Sequence, residues 1–328
     1  MVVGKRNPRV QVLRGIAIIA VVLIHTCPTG IEQVFVRPFL NFAVAIFLFL
    51  SGYLTDISRI NTKVFYKKRI TRVLVPYFIW SVIYTTLGMI GRGDFDIWKY
   101  LQNILLGGGA ATMYYIPVYI QFVLLTPVMG RLLRKRMWWV GLLISPISYI
   151  YIYLVLFRII PGDDIVASLW HVCCLGWFTF YYFGLFLGNK FKKRRLNLNR
   201  LIELYVITIL LQMVEGYGWY MLGSTSGGTQ LKLSSLFSSL VFIMISYYYV
   251  NNERYRKCSR LLIVIGDYSF GIYLAHLMIL EIISRLFPFW ESIPFVVNSL
   301  IVLALTLSFV VIGSRVFGGK MGKWLGLY

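Results

Sequence analysis

Arg14 and His25 stand in the segment VQVLRGIAIIAVVLIHTC, an apolar run of helical length. Eleven helical steps of about 100° turn roughly 20° past three full turns, so the two side chains share one helix face, about 16 Å apart along the axis. A charge and a titratable ring inside an apolar helix are costly to keep, which marks both as functional candidates. Imidazole moves protons near neutral pH, and a guanidinium fork grips phosphate or carboxylate. The plainer readings are a snorkelling arginine and an interhelical hydrogen bond from the histidine.

A second cluster lies in VFYKKRITRVLVPYF. Arg69 and Arg72 are three apart and share a helix face, with Lys67 and Lys68 adding charge. Two arginine forks there suit a phosphorylated ligand such as coenzyme A or a nucleotide, while topogenic charge is the plainer account. His171 and His276 are the remaining histidines. Tyr114, Tyr115, Asp163, Asp164, Glu215, Trp219 and Tyr220 add aromatic and carboxylate groups of the kind that hold a glycan, or that anchor an interface. Gly52 of Ser51-Gly52-Tyr53 fits close helix packing as well as a ligand.

Soluble-enzyme motifs are absent. No G-x-S-x-G elbow, no G-x-x-x-x-G-K-[ST] loop and no complete G-x-G-x-x-G occurs. The four cysteines (Cys27, Cys173, Cys174, Cys258) have no C-x-x-C spacing, so neither a disulfide framework nor a metal site is expected.

The elements that must position these residues are membrane helices. Of 328 residues, 59% are hydrophobic and 14% charged, and mean hydropathy is +0.74. That composition excludes a soluble domain and implies an all-α polytopic membrane protein. Apolar runs predict about ten transmembrane helices: Val10–Thr26, Arg37–Thr55, Val73–Ile90, Tyr114–Met129, Met137–Phe157, Trp170–Asn189, Arg200–Tyr217, Leu233–Val250, Leu261–Ile283 and Ile293–Ser314. DFDIWKYLQNILL reads as an amphipathic helix lying on the membrane. The Gly-rich LLGGGAAT and GSTSGGTQ read as flexible connections.

Ten spans put both termini on one side. Assigning that side to the cytoplasm places 27 of the 33 Lys and Arg there, leaving Arg37, Arg92, Lys99, Arg158, Lys232 and Arg285 outside. The positive-inside rule therefore accounts for the net charge of +21, with attraction to anionic lipid, and no nucleic-acid partner is expected. The histidines fall in the outer half. His25 lies about 22 Å above Arg9–Val10 and His276 about 24 Å above Arg260, which predicts a shared depth. Glu281, five residues beyond His276, is turned about 140° away and does not orient it.

In chain order, LRGIAIIAVVLIH with its Arg-x10-His element, FLFLSGYL, the Arg-x-x-Arg of KKRITRVLVPYF, YYIPVYIQFVLLTP and GDYSFGIYLAH resemble the membrane acyltransferase 3 family over nearly the whole chain. The resemblance implies a single transmembrane domain over residues 1–328, acyl-CoA as donor on the cytoplasmic side, and a glycan or lipid-linked saccharide as acceptor. It implies that His25 and Arg14 are catalytic and that Arg14, Arg69 and Arg72 bind acyl-CoA. His276, Tyr115 and His171 are the acceptor-side or supporting candidates. Two departures stand out: Tyr114-Tyr115-Ile116-Pro117 replaces a His-Leu-Trp-Phe-type element, and no SGNH hydrolase-like domain follows, as in a stand-alone member.

The expected function is O-acyl transfer, acetyl being the expected group, from acyl-CoA to an exported glycan, in a bacterial plasma membrane. His25 would act as base or carry the acyl group transiently. No bound cofactor or metal is expected, and polysaccharide-biosynthesis proteins are the expected protein partners. The rival readings are a glycan or lipid-linked-intermediate flippase and a non-catalytic partner of a polysaccharide synthase. In proteoliposomes given labelled acyl-CoA, an acyltransferase releases free coenzyme A only when acceptor is present, and a flippase does not.

Overall fold

A computed structural model describes residues 7–58, 62–93, 95–157, 159, 169–190, 197–225, 227–251 and 259–327. Asp163, Asp164 and Cys258 lie outside the described residues, as do Lys5, Arg6, Arg59, Arg158 and the basic runs at 191–196 and 252–258. Regular structure among the described residues is all helical, with no strand. The helices are α1 Pro8–Thr26, α2 Glu32–Val36, α3 Phe42–Tyr53, α4 Thr62–Arg92, α5 Ile97–Leu106, α6 Tyr115–Arg134 and α7 Val140–Leu156. They continue with α8 Phe178–Asn189, α9 Leu198–Met221, α10 Leu233–Asn251, α11 Arg260–Asp267, α12 Ser269–Leu286, α13 Phe295–Val316 and α14 Gly319–Trp324.

Eight helical segments among the described residues are long and apolar enough to cross a membrane: α1, Glu32–Tyr53, α4, α6, α9, α10, α12 and α13. Large apolar side chains stay exposed along them, including Val206, Leu210 and Val214 of α9 and Leu300, Phe309 and Ile312 of α13. An exterior of that kind is solvated by lipid. This is a multi-pass membrane protein.

Several expected elements change. The predicted span Trp170–Asn189 opens in two 3₁₀ turns, Trp170–Val172 and Cys174–Trp177, before the twelve-residue α8. Side chains draw its backbone out of a regular ladder. Gln121 donates to Val172 O (2.8 Å) and accepts from Cys174 N (3.1 Å), and Ser145 Oγ donates to Leu175 O (2.7 Å). The predicted span Leu261–Ile283 is broken at Tyr268, where the N–H returns to Val264 O and Gly266 O. The rise of about 24 Å from Arg260 to His276 assumed one straight helix and therefore does not hold. The predicted third span is longer than expected. α4 has 31 residues, about 46 Å at 1.5 Å each, against a hydrocarbon layer of about 30 Å. It is long enough to carry the basic residues of its first turns outside such a layer. The amphipathic helix forms as α5, with Asp96 accepting from Trp98 N (2.8 Å) and Lys99 N (3.2 Å) and Gly107 (φ 76°) ending it.

The chain packs as two compact units. The first comprises Met1–Thr55, Phe180–Ser269 and Pro288–Leu303. Asn7 caps α1 by accepting from Arg9 N (3.0 Å), and Pro8 takes the first helical position. α1 crosses α11 at backbone distance: a Cβ on Gly266 would sit 1.9 Å from Gln11 O, and one on Gly15 would sit 2.4 Å from Leu262 O. Gly52 has the same role: a Cβ there would sit 2.2 Å from Tyr181 O of α8. The packing account of Ser51-Gly52-Tyr53 is therefore sufficient.

GSTSGGTQ is not a loose connection. Gln33 donates to Thr225 O (3.0 Å), and Gln212 Oε1 accepts from Asn41 (2.8 Å) and Ser235 (2.7 Å). Lys232 is fully buried in the turn before α10; its Nζ donates to Gly227 O (2.5 Å) and Gln212 O (3.3 Å). Glu215 of α9 in return accepts from Ser234 N (3.0 Å), capping α10. The two charges fasten the α9–α10 hairpin from opposite sides.

The second unit comprises Asp56–Thr179, Phe270–Phe287 and Ala304–Tyr328. α4 is its axis. Tyr66 Oη donates to Leu124 O of α6 (3.0 Å), Tyr77 Oη to Ile104 O of α5 (2.6 Å), and Trp80 Nε1 to Leu325 O (3.1 Å). LLGGGAAT also packs inward. Gly109 lies where a Cβ would meet Thr85 Oγ1 at 2.7 Å, and Thr112 O accepts from Tyr273 Oη (2.5 Å).

Burial lowers the pKa of Lys232 from 10.5 to about 8, against the opposing pull of Glu215. The unfolded chain keeps that proton up to the ordinary value while the folded chain releases it near 8, so the unfolded state binds more protons between them. Over that window stability rises with pH. Melting of wild type and Lys232→Met in micelles at pH 7.5 and 9.5 should show the wild type gaining on the variant at the higher pH. A gap independent of pH would contradict this account of the buried ammonium.

Candidate functional site

In the first unit, α1 is a continuous helix from Pro8 to Thr26, so Arg14 and His25 do lie eleven residues apart on one helical frame. The rest of α1 is mostly apolar and buried from Val10 through Val22, Gln11 being the polar exception in that stretch. Both side chains are half-buried. The lower end of α1 is held by Arg9, whose guanidinium donates to Val250 O (2.7 Å) and Tyr249 O (3.3 Å) at the end of α10. A cation there satisfies terminal carbonyls and opposes the negative end of the helix dipole. Arg9, counted in the sequence as topogenic charge, thus also has a structural partner.

The upper end of α1 is held beside His25. Cys27 N closes the last turn on Leu23 O (3.0 Å). Thr26 Oγ1 contacts Ser299 Oγ of α13 at 2.5 Å, and Ser299 also donates to Phe295 O (2.6 Å). The turn that carries the imidazole is therefore tied to a second helix through its neighbouring residue. Gln11, one turn below Arg14, is buried, and its Oε1 has no protein partner among the described residues. An amide acceptor one turn from a guanidinium adds a hydrogen-bonding group to the same end of α1.

In the second unit, Arg69 and Arg72 lie in the N-terminal turns of α4. Arg72 is exposed, whereas Arg69 is half-buried with its guanidinium 5.1 Å from the Phe65 ring centroid. The ring orients the cation without neutralising it. Arg131, Arg134, Lys135 and Arg136 end α6 on the neighbouring helix, and Arg134 donates to Ile57 O (3.1 Å).

The acceptor-side candidates also fall in this unit, linked by aromatic contacts. His171, exposed in a 3₁₀ turn, meets Tyr114 edge-on with centroids 6.2 Å apart, and Tyr114 stacks on Trp177 at 6.1 Å. Tyr115 contacts Tyr119 at 6.1 Å and Tyr273 at 5.7 Å. His276, one turn beyond Tyr273, is fully buried, with Nδ1 2.9 Å from Ile272 O. Glu281 is exposed and pairs with Arg285 (2.6 Å), which agrees with the helical-angle argument against its orienting His276.

Sequence reasoning missed Gln11, Ser299, Tyr273 and Tyr84, whose hydroxyl on α4 donates to Leu274 O (2.8 Å) and accepts from Met278 N (3.0 Å) of α12. Only Gln11 left a trace, as an amide three residues before Arg14; the others are ordinary polar or aromatic positions until the helices pack.

A lipid-facing helical bundle carrying an arginine–histidine helix and a basic helix end defines an integral membrane protein built for polar chemistry. The model of the acyltransferase 3 family, described as an acyltransferase domain, matches residues 7–315, so the chain belongs to that family and is a membrane O-acyltransferase. No match was found among curated proteins or solved structures.

Thr26→Val keeps the volume of the side chain and removes the hydroxyl facing Ser299. It should cost about 1 kcal/mol, the usual worth of one neutral hydrogen bond, read as a lower melting temperature in micelles. Ser299→Ala combined with Thr26→Val should then add little, and full additivity would mean that the two hydroxyls act separately.

Proposed function

We propose that this enzyme moves an acyl group, acetyl in the simplest case, from cytoplasmic acyl-CoA to a hydroxyl of an exported or cell-surface glycan. The observation that carries the proposal is the pairing of Arg14 and His25 on one continuous buried helix inside the region matched by the family. The proposed arrangement has ten spans with both termini in the cytoplasm of a bacterial cell. The 17-residue α7 and the stretch of 3₁₀ turns with α8 would supply the two spans beyond the eight long ones. The distribution of Lys and Arg supports that orientation.

In this reading His25 accepts the proton of the acceptor hydroxyl as its oxygen attacks the thioester carbonyl. The carbon–sulfur bond breaks, the ester forms, and the imidazolium proton passes to the leaving thiolate of coenzyme A. Arg14, lower on the same face, holds the phosphate or pantetheine portion of the donor. Arg69 and Arg72 in the N-terminal turns of α4 take nucleotide phosphates, a role that forked cations serve through paired charge-assisted hydrogen bonds. His276, Tyr115 and His171 support the acceptor side, where tyrosine rings suit stacking against a sugar. Membrane lipid surrounds the enzyme, and polysaccharide-biosynthesis proteins deliver or receive the glycan.

His25→Ala should abolish transfer while leaving coenzyme A affinity near that of wild type. Arg69→Ala and Arg72→Ala should instead raise the donor Kd, with the difference from wild type shrinking as salt is added. Donor titration and product analysis on the same preparations separate the two effects. Equal loss of binding and turnover in His25→Ala, or unchanged donor titrations in the arginine variants, would overturn the division of labour.

A further inference from the structure

Resting on the acyl-transfer reading, we propose that Arg37 binds the acceptor, taking an anionic group of it, phosphate or carboxylate, beside the end of α1 that carries His25. Arg37 opens a 3₁₀ turn, Arg37–Phe39, between α2 and α3. Its backbone is fixed: Arg37 O accepts from Leu40 N (2.8 Å) and Asn41 N (2.9 Å), and the Asn41 side chain belongs to the Gln212 network. Its stem is fixed too. A Cβ on Gly228 would sit 2.9 Å from Arg37 Cδ and from Gln33 Cβ, so the arginine lies flush against the backbone of the Gly-rich segment. A cation held this rigidly loses little freedom when a ligand arrives.

The guanidinium has no counter-charge among the described residues. Its Nε is enclosed with no protein partner there, while the residue as a whole is half-buried and so open in part to the exterior. Arg9 and Lys232 of the same unit spend their donors on backbone carbonyls. Arg37 makes no ion pair with Glu32 of α2, whose Oε2 turns back to within 2.5 Å of where a Cβ on Gly30 would sit. Its neighbour is the buried Cys27 thiol. Burial raises the pKa of that thiol by more than the guanidinium lowers it, so it stays neutral beside the cation. A fixed arginine left with neutral neighbours is a site for an anion, which its planar fork grips through paired hydrogen bonds.

Cys27 ties the cation to the end of α1. It lies two residues past His25, and its N–H closes the last turn on Leu23 O (3.0 Å). Two helical steps turn about 200°, so the thiol and the imidazole leave the helix in opposite directions. The anion held beside Cys27 is therefore a different part of the acceptor from the hydroxyl that is acylated. An acceptor carrying both groups fits the pair, as a phosphate-bearing lipid-linked saccharide or an acidic sugar does; a neutral glycan leaves Arg37 unused.

The test uses full-length enzyme in micelles, labelled with ¹⁵N-arginine, with the Arg37 Nε–H signal identified by its loss in Arg37→Lys. Wild type is titrated with inorganic diphosphate, with glucuronate and with glucose. The Arg37 signal should shift saturably with an anion and not with glucose; the anion that saturates it at lower concentration separates a carrier-lipid phosphate from a sugar carboxylate. Transfer is then followed with labelled acyl-CoA as membranes of the native cell, which bear the acceptor, are diluted. Arg37→Gln should need about tenfold more acceptor for half-maximal transfer, the scale of one charge-assisted hydrogen bond, with maximal rate and acyl-CoA Kd unchanged. No saturable shift at Arg37 with either anion overturns the proposal whatever the variants do. So do an equal shift with glucose, and an unchanged half-saturation in a folded Arg37→Gln. If instead wild type transfers no acyl group at all, the acyl-transfer reading fails while the titration still decides whether Arg37 takes an anion.

Discussion

The crossing of α1 and α11 is the contact on which the candidate chemistry of the first unit depends. The Gln11 carbonyl occupies the space that a side chain at residue 266 would need, and the Leu262 carbonyl does the same at residue 15. Lipid supplies no hydrophobic force between two apolar helices, so close van der Waals packing must hold them. Two glycines at the crossing allow that approach. The result is an α1 fixed at its crossing, pinned at its N-terminal end by Arg9 on the end of α10 and at its C-terminal end by Thr26 on α13. Arg14 and His25 therefore project from a helix with little freedom to slide or turn, which catalytic geometry requires.

A second constraint shapes the irregular parts. A polar group away from water must find its partner inside the protein. The departures from regular helix occur where side chains provide such partners. Gln121 and Ser145 satisfy the backbone of the 3₁₀ turns before α8. Tyr84 bridges the backbone of α12 beside His276. Asn41, Gln212 and Lys232 draw the Gly-rich segment before α10 into a buried network. These segments read as loops or simple spans in the sequence because glycine and small polar residues look alike whether they face water or pack against a neighbour.

The two units divide the polar chemistry. The first holds the arginine–histidine helix, with Gln11 buried near one end and Thr26 against Ser299 at the other. The second holds the basic end of α4 and an aromatic group running from His171 through Tyr114 and Tyr115 to Tyr273, with His276 one turn further. Guanidinium forks bind phosphate through paired hydrogen bonds, and aromatic rings stack on flat apolar faces. The family match gives the chain its activity, O-acyl transfer.

Composition alone determined that this chain is helical and lives in lipid, because so apolar a sequence has no other solvent. Spacing alone put Arg14 and His25 on one face, since helical geometry over eleven residues leaves little choice. Motif order carried the family. Local pattern did not reveal the break at Tyr268, the 3₁₀ entry to α8, the inward packing of both Gly-rich segments, or the attachment of Tyr84 to the turn of His276. Each of these depends on a hydrogen bond or close approach between residues far apart in the chain, such as Tyr84 with Leu274 or Gln121 with Val172. Hydropathy records what a residue prefers as solvent; which neighbour satisfies its polar groups is settled only when the helices meet.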